Sequence, residues 1–201
     1  LLIDTLRENP INPQSEPLAY VYCTRNATEL ERGEPVAIIR SILRQLSCPR
    51  PDLKIQDAVS RKYQELQEGF DPRELTLMES KTLILELLEN NPATIIIDAL
   101  DECIPERRYQ LLSTLDEFLE NSTSKVKIVV SSRENHEDIA RGLEKPSNFS
   151  VSAGNNKSDI ERFVKLEVAR SIQESRLLGG TVSSELRDTL VKTLTNGAQG
   201  M

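Results

Sequence analysis

Three carboxylates, Asp98, Asp101 and Glu102, stand close together directly behind the apolar residues Ile95 to Ile97. A short apolar run bounded by turn residues (Asn91-Pro92 lie just before it) reads as a buried strand of a parallel sheet. In such sheets, ligand-binding and catalytic groups gather at the carboxyl ends of the strands. The run therefore carries three acids from a rigid base to the edge where ligands bind. This is how a nucleotide-hydrolysing domain holds Mg²⁺ and orients water, so Asp98 is a Walker B candidate for the metal ligand. Mg²⁺ keeps several of its waters, so a single carboxylate acting through water suffices. Asp101 and Glu102 would polarise or position the attacking water. Acids this close also repel one another, which makes a cation a natural partner. A plainer reading stands beside each role. Asp98 can cap the following turn, and Asp101 and Glu102 can be first-turn acids favoured by a helix dipole.

The second chemical position is Arg133, which follows the apolar run Lys127–Ser131 and Ser132. A guanidinium beyond a strand end can stabilise phosphoryl charge and report whether a γ-phosphate is there. The alternative is a surface arginine paired with Glu134 or Asp138. Other chemistries lack their residues. His136 is the only histidine and reads as solvated in the polar stretch Glu134–Asp138, so no site can be built on two histidines. No serine stands in a G-x-S-x-G elbow, and Ser131 and Ser132 read as strand-end polar residues. Cys23, Cys48 and Cys103 are widely spaced without metal-ligand pairing, which suits reduced thiols in a reducing compartment. None of the eight glycines precedes a lysine, so the 201 residues contain no G-x-x-x-x-G-K-[ST] phosphate loop.

These groups need elements to place them. Leu1–Arg7 reads as the tail of an apolar-faced helix stopped by Asn9-Pro10. Leu18–Cys23 is a strand rich in aromatic and β-branched residues. Pro35 opens a helix with Ile38, Ile39, Ile42, Leu43 and Leu46 on one face, broken at Cys48-Pro49-Arg50-Pro51. Ile55, Val59, Tyr63 and Leu66 mark a more polar, peripheral helix. Another, starting between Asp71-Pro72 and Ser80, buries Leu83, Ile84, Leu87 and Leu88. Pro105 sits where a first helical turn tolerates it, and Leu111, Leu112, Leu115, Phe118 and Leu119 form that helix's buried stripe. Lys127–Ser131 is the next buried strand, and Phe149–Val151 a short strand candidate. Ser158 and Glu161 form a capping-box pair for a helix with Ile160, Phe163, Val164, Val168 and Ile172 inward. After Gly179-Gly180, Leu186, Leu190, Val191 and Leu194 mark a last helix. Strands alternating with helices indicate an α/β fold with a parallel sheet, and from about Asn155 the pattern is all helical. An α/β core over 1–154 and the beginning of a helical subdomain over 155–201 are expected.

The length allows one or two domains with a real core. A net charge of −7 without any basic block argues against a nucleic-acid surface. No apolar run reaches membrane-span length and no signal peptide is apparent, so a cytoplasmic location without a membrane partner is expected. The opening LLIDTLRENP and the closing TNGAQGM read as cuts from a longer polypeptide.

The segment TIIIDALDEC, Thr94–Cys103, resembles the Walker B segment of NACHT domains, nucleotide-binding switches of the signalling ATPase group. In that family a small residue, here Ala99, follows the first acid, and further acids come shortly after. The similarity, to the fungal type and to the nephrocystin-3-like N-terminal region, spans nearly the whole chain. The Leu1–Arg7 helix, LAYVYC, TIIIDALDEC, KIVVSSRE and SDIERFV occur in the expected order, although only TIIIDALDEC is specific by itself. The resemblance implies a P-loop NTPase-type parallel sheet flanked by helices, followed by the start of an all-helical subdomain. It also implies ATP or GTP with Mg²⁺ as cofactors, and self-association through NACHT domains under control of nucleotide exchange. Within it Asp98 is the metal ligand, Asp101 and Glu102 are catalytic, and Arg133 is the cofactor-binding residue of a sensor-1 segment. The family's sheet order would place a loop-bearing strand between the KIVVS strand and the last strand, and Leu1–Arg7 would end the helix after that loop. Two other classes stay open. One is a catalytically inactive, NACHT-derived interaction scaffold. The other is a Mg²⁺-dependent phosphoesterase, for which LAYVYC and KIVVS supply no further acids.

Overall fold

The computed structural model describes residues 17–26, 28–48, 54–71, 73–133, 136–144, 147–150 and 157–197. The helix expected at Leu1–Arg7 lies outside them, as do Pro49, Arg50, Pro51, Pro72, Glu134 and the expected division at 154/155. The chain separates into two compact units, Leu1–Pro146 and Ser147–Met201.

In the first unit, strands β1 (Leu18–Tyr22), β2 (Ala93–Asp98) and β3 (Val126–Val130) pair in parallel in the order β1-β2-β3. The central strand is β2, and Ala93, Ile95, Ile96 and Ile97 are buried, which is why its sequence is a continuous apolar run. Five helices belong to this unit among the described residues: α1 (Pro35–Ser47), α2 (Asp57–Glu68), α3 (Leu77–Leu88), α4 (Pro105–Asn121) and α5 (Glu137–Gly142). Pro35 and Pro105 both occupy the first helical turn, where no backbone donor is lost. Ile38, Ile39, Ile42, Leu43 and Leu46 of α1 and Leu83, Ile84, Leu87 and Leu88 of α3 join the strands in one core, as their spacing predicts. Thr76 and Glu79 close a capping box at the start of α3. Helix α2 is peripheral, with only Ala58 buried along it.

Two burial expectations for this unit fail. Leu119 is 45% exposed, although it falls between the buried Leu112 and Leu115 around the helix; it stands in the last turn of α4, which ends at Asn121. Strand β3 is half-buried rather than buried. Val129 points to the sheet face opposite Ile128 and Val130, where the described residues cover it only in part.

The second unit contains α6 (Lys157–Gln173) and α7 (Ser184–Gly197), which pack together. Gly179 and Gly180, with φ of +65° and +82°, turn the chain between them in a conformation that favours glycine. Val168 and Val191 are buried, but Phe163, expected inward, is exposed, as are Leu186 and Leu194 of the last helix. A single helix pair cannot cover both apolar stripes. Ser158 stands inside the first turn of α6 rather than at its N-cap, and Glu161 pairs with Lys165. Phe149 and Ser150 form no strand, and Val151 lies outside the described residues. No helix among the described residues is long and apolar enough to cross a membrane.

Candidate functional site

The acids sit where β2 leaves the sheet. Asp98 is the last residue of β2, opposite Tyr22 of β1, and its carbonyl accepts from Cys23 N–H at 2.9 Å. Ala99 then takes the left-handed conformation, φ 56° and ψ 52°, and turns the chain into a 3₁₀ turn over Leu100–Glu102. A residue with a small side chain minimises that cost. Ser131, directly after β3, fastens this exit. Its hydroxyl donates to Asp98 Oδ1 and accepts from Ala99 N–H at 2.9 Å. Its carbonyl accepts from Leu100 N–H, and its N–H donates to the Ile97 carbonyl, both at 2.9 Å. What reads in sequence as a strand-end serine is the joint between two strand ends.

The turn is gripped by three arginines. Asp101 is only 5% exposed in its side chain. Its Oδ1 accepts from Arg133 N–H at 3.3 Å, and its Oδ2 lies 3.5 Å from Arg133 Nε. Arg133 Nη2 also lies 3.6 Å from Glu102 Oε1. The Asp101 carbonyl accepts from Arg25 Nη2 at 2.7 Å and from Arg108 Nη2 at 2.9 Å. Arg108 is buried inside α4, and its guanidinium also donates to the Cys103 carbonyl at 3.0 Å and to Asp138 Oδ2 at 2.6 Å. Its Nε is buried without a hydrogen-bond partner. Burial works against ionisation of Asp138, yet the Arg108 guanidinium holds its carboxyl below the usual range. The loop before α1 presses on the same turn. A Cβ at Gly33 would stand 3.2 Å from the Thr24 carbonyl oxygen and 3.3 Å from that of Glu102. The Cys103 thiol donates to the Gly33 carbonyl at 3.2 Å. Burial pushes the Cys103 thiol up to about 11. Burial, with Cys103, Asp98 and Asp101 nearby, pushes Cys23 up to about 12.

All four residues singled out in the sequence thus meet at one edge. Arg133 pairs with Asp101 and Glu102 rather than with Asp138, which belongs to Arg108. His136 is half-buried at the start of α5. Arg25, Gly33, Arg108 and Ser131 escape sequence reading. Only Arg108 leaves a signal, since it falls at i−3 and i−4 from Leu111 and Leu112, on the buried stripe of α4.

Among the described residues no group of three His, Cys, Asp or Glu side chains is placed to hold a metal ion. A Mg²⁺ ion does not need such a cage, because it is usually held by one or two carboxylates together with waters and substrate phosphates. Asp98 fits that part. It is half-buried at the sheet's carboxyl edge, with one oxygen held by Ser131 and no arginine or lysine paired to it among the described residues.

A family model, Nephrocystin 3, N-terminal, matches residues 1–133. No curated protein matches the chain.

Proposed function

The chain belongs to the Nephrocystin 3, N-terminal family, and from that premise we propose that it is the core of a NACHT-type signalling switch that binds ATP or GTP with Mg²⁺. The observation that carries this reading is the charge arrangement at the sheet edge. Asp98 is left without a cationic side-chain partner, beside an arginine laid across the two adjacent acids. Bound Mg²⁺ would bring the positive charge that phosphate oxygens require. The chain's own residues do the rest. Ser131 fixes one oxygen of the Asp98 carboxylate, leaving the other to face a cation. Arg25 and Arg108 hold the turn by its carbonyls, so the side chains of Asp101 and Glu102 keep their positions. Arg133 is 77% exposed in its side chain and sits 3.5–3.6 Å from its acids. The pair with Glu102 is solvent-accessible at both partners and therefore weak, so a terminal phosphate can take the guanidinium from it, while the buried Asp101 keeps the Arg133 N–H. Asp101 and Glu102 then become acceptors for a water. Nucleotide state is thereby coupled to the charge of the turn, and through it to self-association.

The reading requires a phosphate loop from outside these 201 residues. It is tested by sequencing the coding region upstream of Leu1, then measuring Mg-ATP and Mg-GTP binding by the polypeptide it encodes. Magnesium-dependent binding that Asp98→Ala weakens tenfold or more is expected. No in-frame phosphate loop and no magnesium-dependent binding would overturn the reading and leave the interaction scaffold in its place.

A further inference from the structure

Strand β1 is an edge of the described sheet, and its outward peptide groups are predictable from the ladder. The Pro17 carbonyl accepts from Thr94 N–H and Cys23 N–H donates to the Asp98 carbonyl, both at 2.9 Å. Residues of that parity turn their peptide groups toward β2, so Leu18, Tyr20 and Tyr22 turn theirs away from it. The middle position is filled at both groups by one side chain from α1. Tyr20 N–H donates to Gln45 Oε1 at 3.1 Å, and Gln45 Nε2 donates to the Tyr20 carbonyl at 2.8 Å. A carboxamide is chemically a peptide group, and these are the two bonds that a neighbouring strand would make. Gln45 Nε2 also lies 3.3 Å from the Ser41 carbonyl and 3.4 Å from Ser41 Oγ, which fixes the amide's orientation. At Tyr22 the outward carbonyl accepts from Arg32 Nε at 3.2 Å, and Arg32 is itself paired with Glu29 at 2.6 Å.

We infer that Gln45 acts as a strand surrogate that closes the β1 edge to strand addition, with Arg32 as its auxiliary. An open edge is a template for another chain. Here an incoming strand must break both bonds of the central position before it can form its own. Copies of this chain that associate do so through another surface, and Gln45 determines that choice. The closure rests on backbone geometry and holds whether or not the nucleotide reading does.

The experiment compares wild type with Gln45→Leu and Gln45→Ala by residue-resolved amide exchange and by sedimentation velocity. The Tyr20 amide is expected to exchange at least tenfold faster in both variants. Ala19 and Val21, whose amides face β2, should keep their wild-type rates and show that the sheet is intact. A concentration-dependent species absent from wild type should appear. Unchanged exchange at Tyr20 overturns the inference, as does acceleration shared equally by Ala19 and Val21. Faster exchange at Tyr20 without new association overturns the guarding role.

Discussion

At the scale of single residues, the acidic turn is defined by what holds it. Ala99 carries the strain, since a left-handed conformation at a residue with a Cβ costs about 1–2 kcal/mol. Ala99→Gly removes that cost and adds unfolded-state entropy of about 0.5–1 kcal/mol. The expected net result is neutral to about 1 kcal/mol more stable, read from the urea midpoint. Arg108 is the opposite case. Arg108→Met takes the donor from the Cys103 carbonyl, leaves the Asp101 carbonyl with Arg25 alone, and should cost about 2 kcal/mol or more. Its partner gives a pH signature. The folded-state pKa of Asp138 is depressed by Arg108, so the pair stabilises the fold above the ordinary carboxylate value of about 4 and loses that contribution as pH falls below it. Asp138→Asn should therefore lower stability at pH 7 more than at pH 3. The effect is small because Asp138 is half exposed and screened. A difference that grows toward acid would contradict the pairing.

At the scale of elements, burial rather than hydrophobicity ranks the helix residues. Leu115 and Leu119 sit on the same helix four residues apart, and periodicity alone counts both as core. Leu115 is buried and Leu119 is not. Leu115→Ala should cost about 2–5 kcal/mol, and Leu119→Ala about 0.5 kcal/mol or less, both read from denaturant midpoints. The capping box of α3 makes a separate contribution. Thr76 accepts from Glu79 N–H while Glu79 accepts from Thr76 N–H. Glu79 is held well below the ordinary carboxylate range, first by its Arg73 partner and then by Thr76. Thr76→Ala should cost about 1 kcal/mol. A change within error would mean that Arg73 alone organises this turn.

At the scale of the whole molecule, the first unit concentrates its core around β2, and the two buried thiols sample that core. Cys23 follows β1 and Cys103 follows the acidic turn, and burial raises both thiols well above neutral pH. Alkylation needs the thiolate and access, so at pH 8 both should react only when the unit opens, and at similar rates. Mass-spectrometric labelling should find the half-buried Cys48 modified first. Rapid native labelling of Cys103 alone would mean that the turn opens without the sheet, a local motion that the switch reading could use. The sheet's two edges also differ. The β1 edge is sealed by Gln45 and Arg32, whereas no described strand lies beyond β3.

The amino-acid sequence by itself determined the parallel α/β order, the rigid strand Ile95–Ile97 beneath the acids, and the main helix faces. These depend on periodicity and on apolar runs, which are local properties of the chain. It also marked Asp98, Asp101, Glu102 and Arg133 as one constellation, because residue type and strand-end position are both legible along the chain. Tertiary structure alone decided the partners. Arg133 lies thirty-two residues from Asp101, and Ser131 thirty-three from Asp98. Gln45 meets Tyr20 across twenty-five residues. No local pattern encodes such pairings, since they depend on which strand ends the sheet brings side by side. The exposed apolar residues of α6 and α7 escaped prediction for the same reason. A helix's period shows which face is apolar, and only packing decides whether anything covers it.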